Sequence, residues 1–423
     1  MKNLILTLVV LGLTQVTFLH PSLAAYKSAA HKPTAKRADY PIHIMPDQNI
    51  SYEHLKMMEL NETVSDYVNE AIRVGKKNMD WLKHMNALLP DGQKIALTKP
   101  GELTPIPINK PKIYSPETVE RDFKELLTVI PENMKNIIFG TADFTDTPEI
   151  DLETYILWAK KVDKMYQTAA RWLTLKPYMS YYQQNKVSDI RGYYFLSKEE
   201  NLNDKLTNFS SLSTGDQTRL TPLLINMCEN KDGLTGCENK FKKALQTNGV
   251  LAFYEKYLST SKAIFDENFV LGGIRTDIKW TSTDPSRAYI PIRPTGSAEV
   301  NQFLEYNIED EWKWDGWNLD LEFKSNAAVH VEFVPGDTPH VDGLGGNKIT
   351  MDGNAPLTEW DVQWTIRHEF GHVLGFPDCY VEFYDNNLKA MVNYQIDTAN
   401  MMCSRAGKMQ EVHYTEMKKN YFH

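Results

Sequence analysis

Between Arg367 and Asp378 the chain reads Arg-His-Glu-Phe-Gly-His-Val-Leu-Gly-Phe-Pro-Asp, and no other segment restricts its local structure so tightly. His368 and His372 are four residues apart. On a helix of 3.6 residues per turn they stack on one face, near enough for two imidazoles to hold one ion. Glu369 stands one position round from His368, which sets a carboxylate beside that ion without making it a ligand, the place for a base acting on metal-bound water. Thr358 as N-cap, with Asp361 three residues on, predicts a helix from Glu359 to Leu374. Gly375 suits the left-handed cap that ends a helix and Pro377 forbids its continuation, so the reversing chain can return Asp378 to the ion as third ligand. Two imidazoles, a carboxylate and an open position are the donor set of catalytic zinc. Given 11 His and 55 acidic residues in 423, such a constellation arises by chance in roughly a few chains in ten thousand.

The start of the chain predicts where this chemistry would take place. Lys2 precedes an apolar run from Leu4 to Leu13, and Ser22 and Ala24 supply small residues at the −3 and −1 positions of a cleavage site, so residues 1–24 read as a signal peptide. Thr14, Gln15, Thr17 and His20 interrupt the run too soon for a membrane anchor. A secreted or periplasmic protein is expected, free of the membrane after cleavage, in a compartment where disulfides persist. With 46 basic and 55 acidic residues the formal charge is −9, or −10 without Lys2, which excludes generic attraction to nucleic acid. The four cysteines, Cys228, Cys237, Cys379 and Cys403, contain no CxxC pair and exclude a zinc ribbon.

Hydrophobic spacing divides the rest. Residues 25–50 form a lead-in without periodicity. Residues 51–274 read as mainly α-helical, with helical patterns over about 51–89, 117–129, 151–176, 217–228 and 238–264, a Pro-rich connector between Pro100 and Pro116, and no chemical motif. Residues 275–423 read as an α+β domain. There the stretches 317–323 and 329–333 alternate with period two, a helix runs through Val300, Leu304 and Ile308, and a short strand covers 349–351. The helical region reads as a separate unit placed to cover a cleft.

The motif resembles the metzincin clan of zinc metallopeptidases, whose pattern is H-E-x-x-H-x-x-G-x-x-H followed by a Met-turn. Met401-Met402-Cys403 fits that turn, with Met402 matching the family methionine, and Asp378 stands where most metzincins have His, as in the small snapalysin-type enzymes. The resemblance covers about 289–415. It implies a twisted mixed sheet with an active-site helix, and a secreted zinc endopeptidase that binds a protein or peptide substrate as an extended strand along 329–334. In it His368, His372 and Asp378 hold zinc, Glu369 is general base, Gly375 shapes the turn and Met402 lies beneath the ligands. It further implies a disulfide between Cys379 and Cys403 under the metal, with Cys228 and Cys237 forming the other. The stretch 336–346 is similar to the loop that holds structural calcium in matrix metalloproteases, which would make Asp342 a calcium ligand, with Asp337, Asp352 and Asn354 as further candidates. A turn-rich loop is the alternative. Tyr380, Tyr384, Tyr394 and Tyr414 are candidate oxyanion stabilisers, none of them assigned. Two rivals remain: Glu411 as a distant third ligand, and a secreted binding protein with a structural zinc site.

Overall fold

The structure, a computed structural model, describes residues 66–90, 93–97, 111–140, 152–179, 189–233, 235–385 and 388–423. The expected signal peptide, the lead-in and the start of the first helical pattern lie outside these residues.

Four helices, α1 (Asp66–Leu88), α2 (Pro116–Val129), α3 (Glu132–Ile138) and α4 (Leu152–Leu175), close over one core that includes Val68, Leu82, Phe123, Val162 and Trp172. α2 starts where its sequence dictates: Pro116 occupies its first turn and the Ser115 hydroxyl accepts from Thr118 N–H. A second core, built on Leu220, Phe241 and Tyr257, joins α5 (Arg191–Ser197), α6 (Leu202–Thr207), α7 (Thr214–Asp232), α8 (Cys237–Gln246) and α9 (Val250–Asp266), and the Cys228–Cys237 disulfide staples it. The single helix expected over 238–264 is two, because Asn248 takes a left-handed conformation and Gly249 follows it.

The remaining chain is α+β, with small sheets rather than one. β1 (Lys112–Tyr114) belongs to the helical region. β2 (Lys279–Thr281), β3 (Asp284–Ile292), β4 (Lys313–Trp314) and β5 (Trp317–Phe323) form a mixed sheet of order 2-3-5-4, in which α10 (Ala298–Glu311) is the crossover between parallel β3 and β5. β6 (His330–Val334), β7 (His340–Val341) and β8 (Lys348–Asp352) form a second mixed sheet, tied to the first by the Ile292–Val329 bridge. β9 (Val381–Asp385) and β10 (Ala390–Tyr394) form a third, antiparallel sheet. α11 (Trp360–Val373) lies against β7 and β8, and α12 (Glu411–Tyr421) closes the chain.

Many contacts cross the expected boundary at 274/275. β1 pairs antiparallel with β10, opposing Ile113 to Val392, and Met391 of β10 is part of the first helical core. Leu97 N–H donates to Glu359 Oε1 at 2.6 Å, and Tyr166 hydroxyl donates to Asp352 Oδ2 at 2.8 Å. Arg171 of α4 makes a bidentate ion pair with Glu382 of β9. The helical region therefore forms one wall of the cleft in front of α11, a cavity of about 860 Å³. No helix of the described residues is long and apolar enough to cross a membrane.

Candidate metal centre

α11 carries the motif as its spacing requires. The helix starts at Trp360, one residue later than expected, with Glu359 at the N-cap; the expected cap Thr358 instead receives a hydrogen bond from Asn86. Gly375, at φ +98°, is the left-handed residue past the end, and a Cβ there would run into the Gly273 carbonyl. Next to the motif, Arg367 donates to Glu311 Oε2 at 3.1 Å and Asn307 Oδ1 at 3.0 Å, while Trp312 Nε1 donates to its carbonyl. These buried bonds to α10 and the residue after it fix the helix in depth and rotation.

His368, His372 and Asp378 converge, and all three are buried. His368 Nδ1 lies 2.8 Å from the Met401 carbonyl and His372 Nδ1 lies 2.8 Å from the Phe376 carbonyl. A carbonyl only accepts, so each Nδ1 carries the proton and each Nε2 presents a lone pair to the site. The two Nε2 atoms lie 3.0 and 3.4 Å from Asp378 Oδ1. Metal bonds of about 2.0–2.1 Å give a tetrahedral set ligand separations of about 3.3–3.5 Å, close to these. Both carboxylate oxygens of Asp378 are buried without a hydrogen-bond partner among the described residues. A buried carboxylate left in that state is costly unless a cation takes it, so the donor set fits a metal ion.

The floor is built by the turn around Met402. Met401 gives the carbonyl that orients His368, Cys379 N–H donates to the Met402 carbonyl at 3.0 Å, and the Cys379–Cys403 disulfide locks the residue after Asp378 to the residue after Met402. A Cβ on Gly371 would lie inside contact distance of Met402 Sδ and 3.1 Å from Trp312, so the Gly between the histidines admits the methionine from below. Glu369 is buried and lines the same cavity as His368, His372 and Asp378.

Other expectations fare differently. Glu411 is exposed at the first turn of α12 and takes no part in the His368, His372 and Asp378 group. Asp342 Oδ1 accepts from Asn347 and Lys348 N–H, Asp337 Oδ1 from Thr338 N–H, and Asp352 Oδ1 from Gly336 and Asn354 N–H. Those acids shape turns, and among the described residues the one group of three or more His, Cys, Asp or Glu side chains placed to hold a metal ion is at the histidines. The stretch expected as substrate edge, β6, ends its sheet and pairs with β8, while the segment bordering the cleft is 336–340, leading into β7 at the other end of that sheet. Trp312, Trp314 and Trp317 pack in or against the core.

Of the four tyrosines, Tyr380 alone lines the cleft, its ring stacked 6.5 Å from His368. Burial and then Asp378 raise its hydroxyl well above the usual range. Tyr414 packs on Trp280 and Trp317, Tyr394 on Phe383, and Tyr384 against the first helical core. The facing wall, with Lys112, Asp163 and Arg171, was not visible in the sequence, where these residues form no spaced motif. No family model, curated protein or solved structure matches this chain.

Proposed function

We propose that the chain is an exported zinc-dependent endopeptidase, of metzincin-like site chemistry. The observation that carries this reading is the convergence of two Nε2 lone pairs and an unsatisfied carboxylate beside Glu369, in a cleft open to a large ligand. A zinc ion held by His368, His372 and Asp378 would supply Lewis acidity, polarising a peptide carbonyl and acidifying a water. The chain's own residues do the rest. Glu369 accepts the water's proton and returns it to the leaving amine. The Met401 and Phe376 carbonyls hold both histidines in the ligating tautomer, and the disulfide keeps Asp378 from swinging away. An intact Glu369 favours this over a structural zinc site, which needs no base. The two disulfides agree with an oxidising compartment.

The test is incubation of the purified protein with a proteome-derived peptide library, with and without a chelator, beside Glu369→Gln. We expect chelator-sensitive cleavage that falls at least about 100-fold in Glu369→Gln while metal content stays whole, because a base serves the chemistry and not the binding. Cleavage at the parent rate by that variant refutes the mechanism.

A further inference from the structure

We propose that Lys112, on the wall opposite the zinc ligands, is the specificity residue of the cleft and binds a carboxylate of the substrate, an acidic side chain or a free C-terminus. The proposal rests on the peptidase reading above and names its substrate class.

Lys112 opens β1, the strand that the helical region lends to the β9–β10 sheet, and its side chain lines the same cavity as His368, Glu369 and Asp378. The charges facing it are Arg171 of α4, Glu382 of β9, Asp361 of α11 and Arg405, three residues past Met402. Glu382 is fully taken: Arg171 grips both its oxygens and Asn393 Nδ2 reaches Oε1 at 3.3 Å. Asp361 pairs with Arg405, which is 3.2 Å away and also donates to Thr365. Three cations therefore face two carboxylates, each of which serves an arginine. Among the described residues Lys112 makes no ion pair or side-chain hydrogen bond of its own. Asp163, the other acid beside Arg405, is pushed up to about 7 by burial and by Asp361 and Glu359, so it carries only part of a charge at neutral pH.

An ammonium in a confined cleft without its own counter-ion is poorly solvated, and burial pulls Lys112 down to about 8. A substrate carboxylate supplies the missing charge at little further desolvation cost, whereas an amide of the same shape does not. Arg171 and Glu382 also act on Tyr380, two residues past Asp378, so the cation cluster adjoins the zinc ligands and a carboxylate bound there belongs to the peptide being cut.

The test uses octapeptides in which one Glu is moved along an otherwise neutral, amidated chain, their Gln counterparts, and the neutral chain with a free C-terminus. Binding to the full-length Glu369→Gln protein is measured by fluorescence anisotropy, and hydrolysis by the wild-type protein in parallel. We expect a carboxylate at one position to tighten binding at least ten-fold over its amide, Lys112→Met to abolish that gap without weakening the neutral peptide, and Lys112→Arg to retain it. The Glu and free-terminus arms tell a side-chain carboxylate from a terminal one. A gap under three-fold, or one that persists in Lys112→Met, overturns the subsite even if peptides are cut. A gap without hydrolysis overturns the peptidase reading and leaves the carboxylate site standing.

Discussion

Replacing Arg171 with Met asks how far the helical region and the α+β region that carries α11 depend on each other for stability. Its Nε and Nη2 donate to Glu382 Oε1 and Oε2 at 3.0 and 2.5 Å, and the Glu382 side chain is 0% exposed. Removing one partner of a buried pair leaves an uncompensated charge and costs about 3–5 kcal/mol. Three features place this case at the lower end: Arg171 is itself 20% exposed, Asn393 still donates to Glu382, and Lys112 and Arg405 remain near. We therefore expect Arg171→Met to lower the unfolding free energy by about 3 kcal/mol, a large part of a typical total of about 5–15 kcal/mol. The assay is urea denaturation of the full chain, followed by far-ultraviolet circular dichroism. Arg171→Met with Glu382→Met should recover most of the loss, because the double change removes the buried charge along with its partner. A loss below about 1 kcal/mol in the single variant, or no recovery in the double, would refute the reasoning. The same logic bears on a chain cut to start near Thr276, which loses Arg171 and β1 together. It is expected to be less soluble and no more active on small peptides than the full chain, whereas higher activity in a folded fragment would support a separable cover.

Asp378→Ala should lose zinc as well as activity, since a first ligand and its charge go together; full zinc content by elemental analysis in that variant would remove Asp378 from the site. Gly371→Ala gains about 1 kcal/mol of helix propensity but overpacks Met402 and Trp312 at a cost of about 1–3 kcal/mol, so it should weaken zinc binding, and Met402→Ala in the same chain should restore it; titration with a zinc-buffered indicator decides. His413 is buried with Nδ1 accepting from Gln410 N–H, and burial lowers it to about 4 from 6.5. Its folded value lies below its unfolded one, so the unfolded chain takes up the proton first, and the stability that neutral His413 gives is present above pH 6.5 and lost as pH falls toward 4. The loss is about 3 kcal/mol at about 1.4 kcal/mol per pH unit, and denaturation at pH 7 and pH 4 should show it in the wild type relative to His413→Gln.

What the sequence disclosed depended on how local each feature is. Period-3.6 patterns gave the long helices because each buries one stripe, as α4 buries Val162, Ala169 and Trp172. The candidate metal group was legible because its donors fall within eleven residues, where helix pitch and a left-handed cap fix their directions before any tertiary contact forms. The Met402 turn and its disulfide came through resemblance rather than through spacing. The loop 336–346 is ambiguous in sequence because Gly and Asp serve calcium and tight turns alike; in the fold Asp342 accepts the Asn347 and Lys348 N–H groups as a turn residue does. The opposite wall was illegible for a different reason. Lys112 sits in a three-residue strand within the Pro-rich connector, and its meaning comes from Arg171, Glu382 and Arg405, up to 293 positions away. Such long-range pairing leaves no periodic trace in the chain. The half of the cleft that would perform chemistry is thus written in one short segment, while the half that would choose the substrate is assembled from four, so the reaction class can be argued from a motif and the specificity only from packing.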